Sequence, residues 1–151
     1  MATTNESTIT GLNNLIQINN DRIQGYITAA KETEDADLKN VFSEMMQTSQ
    51  ECRKELSTEV SKLGGTPVEG TTVSGKFYRA WMDVKAALSS KDRKAILNSC
   101  EFGEDVAVKT YEEEMESDKI DQAHRGLVSE QYNKIKAGHD KIRSLRDQAT
   151  A

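Results

Sequence analysis

Leu63-Gly64-Gly65-Thr66-Pro67-Val68-Glu69-Gly70-Thr71-Thr72-Val73-Ser74-Gly75 is the stretch on which the architecture turns. It holds the chain's single proline and four of its nine glycines. Proline removes a backbone donor and clustered glycine raises the entropic cost of a helix, so helices stop here. On each side lie two long stretches whose inward-facing positions recur at alternating steps of three and four. That is the stripe a bundle-facing helix needs.

Upstream, Ile9, Leu12, Ile16, Asn19, Ile23, Tyr26 and Ala30 form the seam of a helix predicted over about 7–32. Leu38, Phe42, Met45, Ser49, Cys52, Leu56, Val60 and Leu63 form that of a second, over about 35–63. Thr33-Glu34-Asp35 between them is short, which makes the two helices antiparallel neighbours. Downstream, Phe77, Trp81, Val84 and Leu88 predict a shorter helix over 75–88, with the aromatics pinning it to the bundle. Ser89-Ser90, with Asp92 just beyond, reads as a fresh start with a serine cap. Without that break one helix would run nearly ~70 Å, against ~40 Å for the others.

A third long helix follows over about 91–116, with Ile96, Cys100, Gly103, Ala107, Thr110 and Glu114 on its seam. Ser117-Asp118 is read as the next turn and cap. The fourth helix covers about 119–147 and includes His124, Leu127, Val128, Gln131, Ile135, Gly138, Ile142 and Leu145. The connection between the second and third long helices spans ~21 Å of helix plus up to ~33 Å of loop. It can traverse the bundle lengthwise, which makes those two helices parallel. The expected fold is a single all-α domain over residues 1–151. It is a ferritin-like four-helix bundle of two antiparallel hairpins joined by a long crossover.

Charged residues make up 30% of the chain, aromatics 5%, and the net charge is -5. That balance argues against binding duplex nucleic acid, which needs concentrated cations to displace counterions. The basic end of the fourth helix (Lys134, Lys136, Lys141, Arg143, Arg146) suits a helix C-terminus in solvent. No stretch approaches the ~20 apolar residues of a membrane span, and the first residues lack a secretory pattern. Cys52 and Cys100 fit neither a disulfide framework nor a zinc spacing. A cytoplasmic chain with two reduced thiols is expected. There is no phosphate loop and no dinucleotide fingerprint, and no catalytic residue is assigned.

Asn19-Asn20-Asp21-Arg22-Ile23-Gln24-Gly25-Tyr26 resembles the first-helix motif of a bacterial ferritin-like family of unknown function. Asp35-Ala36-Asp37-Leu38-Lys39, Ala80-Trp81-Met82-Asp83-Val84-Lys85-Ala86-Ala87-Leu88, Gly103-Glu104-Asp105 and Ala137-Gly138-His139-Asp140-Lys141-Ile142 match it in the same order. The resemblance runs from about Ile9 to Asp147. It implies a ferritin-like bundle and carries no established activity. A role in stress follows only by analogy.

A ferritin-like bundle raises the question of a paired-metal centre. That centre takes a Glu from each of two helices and a Glu-x-x-His from each of the others. The chain has two histidines, His124 and His139, both on the fourth helix. Lys136 stands where the glutamate before His139 would be, and Asp121-x-x-His124 lies at the helix start. The usual site cannot be assembled, so no cofactor is expected. The competing reading is an iron or manganese protein with a reduced site on Glu44, Glu104 and His139.

Aligned helix midpoints place Asn19-Asn20, Ser49, Glu104-Asp105 and Gln131 at one level. The expectation is a mostly neutral, hydrogen-bonded layer, with Arg22 reaching Glu104 or Asp105, that fixes helix register. His139 is expected as a neutral core histidine facing Tyr26 or Glu44. Glu112, Glu113, Glu114, Glu116 and Asp118 are expected in solvent, since charge runs usually form solvated faces. A non-catalytic structural or interaction protein is the function expected. Partners are left open, a homo-oligomer among them.

Overall fold

Four helices carry the described chain in a computed structural model: α1 (Thr4–Glu32), α2 (Ala36–Lys62), α3 (Arg93–Glu116) and α4 (Gln122–Gln148). Residues 4–70 and 92–149 are described, with the backbone alone at Thr4 and Glu32. The expected crossover helix over 75–88, its aromatic pins and the Ser89-Ser90 break lie outside the described residues.

Local chemistry sets the helix ends. Gly64 follows the last turn of α2 at φ +85°, a conformation that favours glycine. Gly65 N–H donates to Val60 O and Gly64 N–H to Ser61 O, each at 3.0 Å. This paired closure satisfies carbonyls the helix would otherwise leave open. Asp92, rather than a serine, caps α3 by accepting from the backbone of Lys94 and Ala95. The turn before α4 is longer than expected and ends at Asp121, whose carboxylate accepts from His124 N–H at 3.2 Å. Aspartate is a strong cap because its fixed charge also suits the positive helix end.

Contacts at the two ends give the topology. Gly65 lies against Ile9, so α2 ends where α1 begins. Thr8 Oγ1 donates to Lys119 O at 3.2 Å, so the α3–α4 turn sits at that same end. Arg93 meets Asp35 and Asp37 at 3.2 and 2.6 Å, so α3 begins where α2 begins. Hence α2 and α3 run parallel, with the end of α2 and the start of α3 at opposite ends of the bundle. Residues 64–70 lead along α1 from the end of α2. Val68 N–H donates to Asn13 Oδ1 at 2.9 Å. Further along, Gln17 and Asn20 donate to Gly70 O at 3.0 and 2.9 Å. α1 packs on α2 and α3, and α4 packs on the same two.

The core falls into two apolar clusters. One gathers Leu12, Ile16, Leu56, Val60, Tyr111 and Ile135. The other gathers Tyr26, Leu38, Phe42, Leu97, Cys100 and Ile142. Polar side chains from all four helices lie between them. Among the described residues no helix is long and apolar enough to cross a membrane.

Candidate functional site

The level between the clusters is organised around Arg22. Three turns of α1 carry Asn19, Arg22 and Tyr26 at steps of three and four, so they share one face. The Arg22 side chain has no solvent exposure, nor has that of Glu104. Arg22 Nη2 and Nε donate to Glu104 Oε1 at 2.8 and 3.1 Å. Its Nη1 donates to Ser49 Oγ at 2.5 Å. Tyr26 O–H donates to the same Glu104 oxygen, and the guanidinium carbon lies 5.5 Å from the Tyr26 ring centroid. Burial opposes the charge on Arg22, but Glu104, Tyr26 and Cys52 together outweigh it and hold the guanidinium above its ordinary pKa. Burial, reinforced by Glu104, pushes the Tyr26 phenol well up. The layer therefore holds one desolvated ion pair, Arg22 with Glu104, among neutral polar groups.

Gly138 makes room for this arrangement. A β-carbon there would stand 2.8 Å from Met45 Sδ and 3.2 Å from Arg22 Nη2. Gly126, on the same helix, faces open space. We expect Gly126→Ala to raise the unfolding free energy by about 0.5–1 kcal/mol through helix propensity. Gly138→Ala should lack that gain because it crowds the ion pair. Urea melts of the two variants distinguish the cases.

A second set of hydrogen bonds runs across the same level. Asn19 Nδ2 donates to Tyr111 Oη at 2.8 Å, and Tyr111 O–H donates to Gln131 Oε1 at 2.9 Å. Gln131 Nε2 then donates to Cys52 O and Glu55 Oε1 at 3.2 and 3.1 Å. Every donor in the chain finds an acceptor with the next group correctly turned. Of the residues expected at this level, Asn19, Ser49, Glu104 and Gln131 are here, and of the two acceptors expected for Arg22, Glu104 or Asp105, it meets Glu104. Sequence reasoning missed Tyr111, having put Thr110 on the seam. Asn20 departs from the core to bond Gly70. Asp105 is half-buried at the flank.

At that flank α3 and α4 bring together Glu101, Asp105 and His139, with ligand atoms all within 4.8 Å of one another. His139 Nε2 lies 2.6 Å from Asp105 Oδ1, and its Nδ1 lies 3.1 Å from Asp140 Oδ1. Glu101, itself buried, accepts from Arg143 Nε at 3.1 Å and from Arg146 Nη1. This corrects the expectation that His139 meets Tyr26 or Glu44. Tyr26 is engaged by Glu104, and exposed Glu44 pairs with Lys141 at 3.0 Å. Glu44, Glu104 and His139 thus occupy three separate environments. Glu101, four residues before Asp105 on one helix face, was the overlooked member. Its signal was the i, i+4 acid pair beside the basic end of α4.

The acidic run at the end of α3 is likewise divided. Glu114 is buried rather than solvated, and its Oε1 accepts from Asn14 Nδ2 at 2.9 Å. Glu112 remains exposed and takes the Tyr132 hydroxyl at 2.8 Å. His124 stands at the bundle end between Asp121 Oδ1 at 2.6 Å and Glu59 Oε1 at 3.1 Å. Both cysteines are free and buried. Burial pushes the Cys52 thiol up to about 11 and the Cys100 thiol higher still. Neither is poised as a nucleophile, because the thiolate is the reactive form.

The donors at the centre do not fit a paired-metal site. At that level α1 offers an amide and a guanidinium, α2 a hydroxyl and the exposed Glu55 carboxylate, α3 the Glu104 carboxylate and α4 an amide, so Glu104 is the one buried carboxylate among these groups. Two dications need several bridging carboxylates, and a buried guanidinium beside them would repel both.

Among families of known sequence, one described as a domain of unknown function, DUF2383, matches residues 7–117. The matched span takes in α2 and α3 and nearly all of α1, so it contains Arg22, Ser49, Glu104 and Tyr111. No curated protein matches the chain.

Proposed function

We propose that this chain, which belongs to the DUF2383 family, is a non-catalytic ferritin-like bundle serving as a structural or interaction protein. Arg22 is the single observation that carries the reading. Its guanidinium sits between the two apolar clusters, closed in by Glu104, Ser49 and Tyr26. A fixed side-chain cation thus stands at the level where a metal-bearing bundle would place its ions. Glu104 Oε1 is committed to it, while Glu104 Oε2 is buried and accepts no hydrogen bond among the described residues. The two thiols are held protonated by burial, which removes the other candidate reactive groups. Free buried cysteines also suit a cytoplasmic setting. The basic end of α4 is largely paired with acids: Lys136 with Asp140, Lys141 with Glu44, and Arg143 and Arg146 with Glu101. This supports a protein that does not bind nucleic acid.

The competing reading is an iron or manganese oxidase or storage protein on Glu44, Glu104 and His139. It is weaker because each of the three is engaged by a different neighbour. Anaerobic loading with Fe(II) or Mn(II), followed by elemental analysis and oxygen-uptake measurement, separates the two. We expect fewer than two ions per chain and no oxidation of Fe(II) above the buffer rate. Fe(II) oxidation with oxygen uptake above the buffer rate, at one ion per chain or two, would overturn the proposal.

A further inference from the structure

We infer that Glu101, Asp105 and His139 form a site for one divalent first-row metal ion of the zinc class, at the α3–α4 seam. The inference goes beyond the reading above, which concerns a pair of ions in the core; one ion at the flank leaves that reading intact.

Three features of the geometry carry it. First, two helices converge one imidazole and two carboxylates with ligand atoms within 4.8 Å of one another. A mixed nitrogen and oxygen set of this kind suits zinc and its neighbours, whereas calcium and magnesium favour oxygen alone. Second, the ligands are held in place from outside. His139 is buried, and its Nδ1 faces Asp140 Oδ1 at 3.1 Å. That is the carboxylate backing by which a metal-binding imidazole is usually oriented. It leaves Nε2 directed at Asp105. Glu101 is fixed by Arg143 and Arg146, one on each oxygen. A carboxylate offers about four lone-pair positions, so acceptor capacity remains for an ion, and both guanidiniums reach solvent, unlike that of Arg22, so water screens their repulsion of it. Third, the Asp105 side chain is 47% exposed, which provides a route from solvent.

In the structure described, His139 and Asp105 share a hydrogen bond of 2.6 Å. An ion would replace the bridging proton, with each ligand roughly 2.0–2.2 Å from it. Asp105, half in solvent, is the residue able to shift outward by the small distance required. With three protein ligands, the fourth position of a tetrahedral ion falls to water.

The test uses the full chain, stripped with chelator and titrated with zinc sulfate in a calorimeter. We expect one zinc per chain. Asp105→Asn and His139→Gln should each weaken binding by at least roughly tenfold, since even the loss of a supporting residue does as much. His124→Asn, which alters the other carboxylate-flanked imidazole, should leave affinity unchanged. Asp105 is the decisive position because its partly exposed side chain can be changed without opening the core; circular dichroism confirms the fold of each variant. Substituted Co(II) should show visible bands of a four- or five-coordinate ion, absent in Asp105→Asn. No zinc binding, zinc held as tightly by Asp105→Asn as by the parent, or zinc lost only in His124→Asn would each overturn the inference. An ion count of two per chain that survives Asp105→Asn would instead count against the core reading.

Discussion

Arg22→Met should lower the unfolding free energy by about 3–5 kcal/mol, because it leaves the Glu104 carboxylate buried without its counter-charge. Both side chains are fully desolvated, so water cannot restore the balance. Glu104→Gln alone should cost a comparable amount by stranding the guanidinium. The double variant is the informative member. With both charges removed, the desolvation penalty disappears from both sides, and replacing a buried ion pair is often neutral or stabilising. Tyr26 O–H can still donate to the amide oxygen of residue 104, while Ser49 loses its donor at the modest cost of one hydrogen bond. The double variant should therefore lie well above the sum of the two singles, with a coupling of 0.5–3 kcal/mol or more, by the usual range of about that size for groups in contact. Urea melts of the four proteins measure it. Additive losses would show that the pair does not act as a unit.

The same ion pair shows how far the residues could be read in advance. The helices followed from the three–four seam, and Gly64-Gly65 marked the end of α2 because a positive φ there needs glycine. Aligned helix midpoints put Asn19-Asn20 level with Glu104-Asp105, within reach of Arg22. What escaped were differences of one residue, each a rotation of about 100° on a helix. Thr110 and Tyr111 differ by that rotation, and the small neighbours Gly103 and Ala107 left the seam of α3 too weakly apolar to choose between them. Glu104 and Asp105 differ by the same amount: one points to Arg22, the other to His139. Glu114 lay on the predicted seam yet was assigned to solvent from the charge run around it. Periodicity was the better guide, since Asn14 meets that carboxylate inside the bundle. The partners of His139 depend on which side of α3 faces α4. Helix spacing leaves that open, and packing decides it.

Tyr111→Ala should cost about 3–5 kcal/mol, the range for deleting a large buried aromatic, and Tyr111→Phe about 1–3 kcal/mol, the cost of an orphaned buried polar group. The second value isolates the hydroxyl, which receives from Asn19 and donates to Gln131. Without it, Gln131 Oε1 loses its donor, while Asn19 Nδ2 retains Leu15 O at 2.8 Å. Asn19→Leu then asks a different question. It removes the donor to Tyr111 together with Asn19 Oδ1, a buried oxygen that accepts no hydrogen bond among the described residues. The stability cost should accordingly be smaller than that of Tyr111→Phe. The effect belongs to specificity: a leucine at this level extends the apolar seam through the polar layer, and one register no longer satisfies more groups than its neighbours. The folded variant should show extra or broadened amide resonances around this level. A higher melting temperature with one sharp set of resonances would mean that apolar packing alone sets the pairing, and that the polar layer serves some other end.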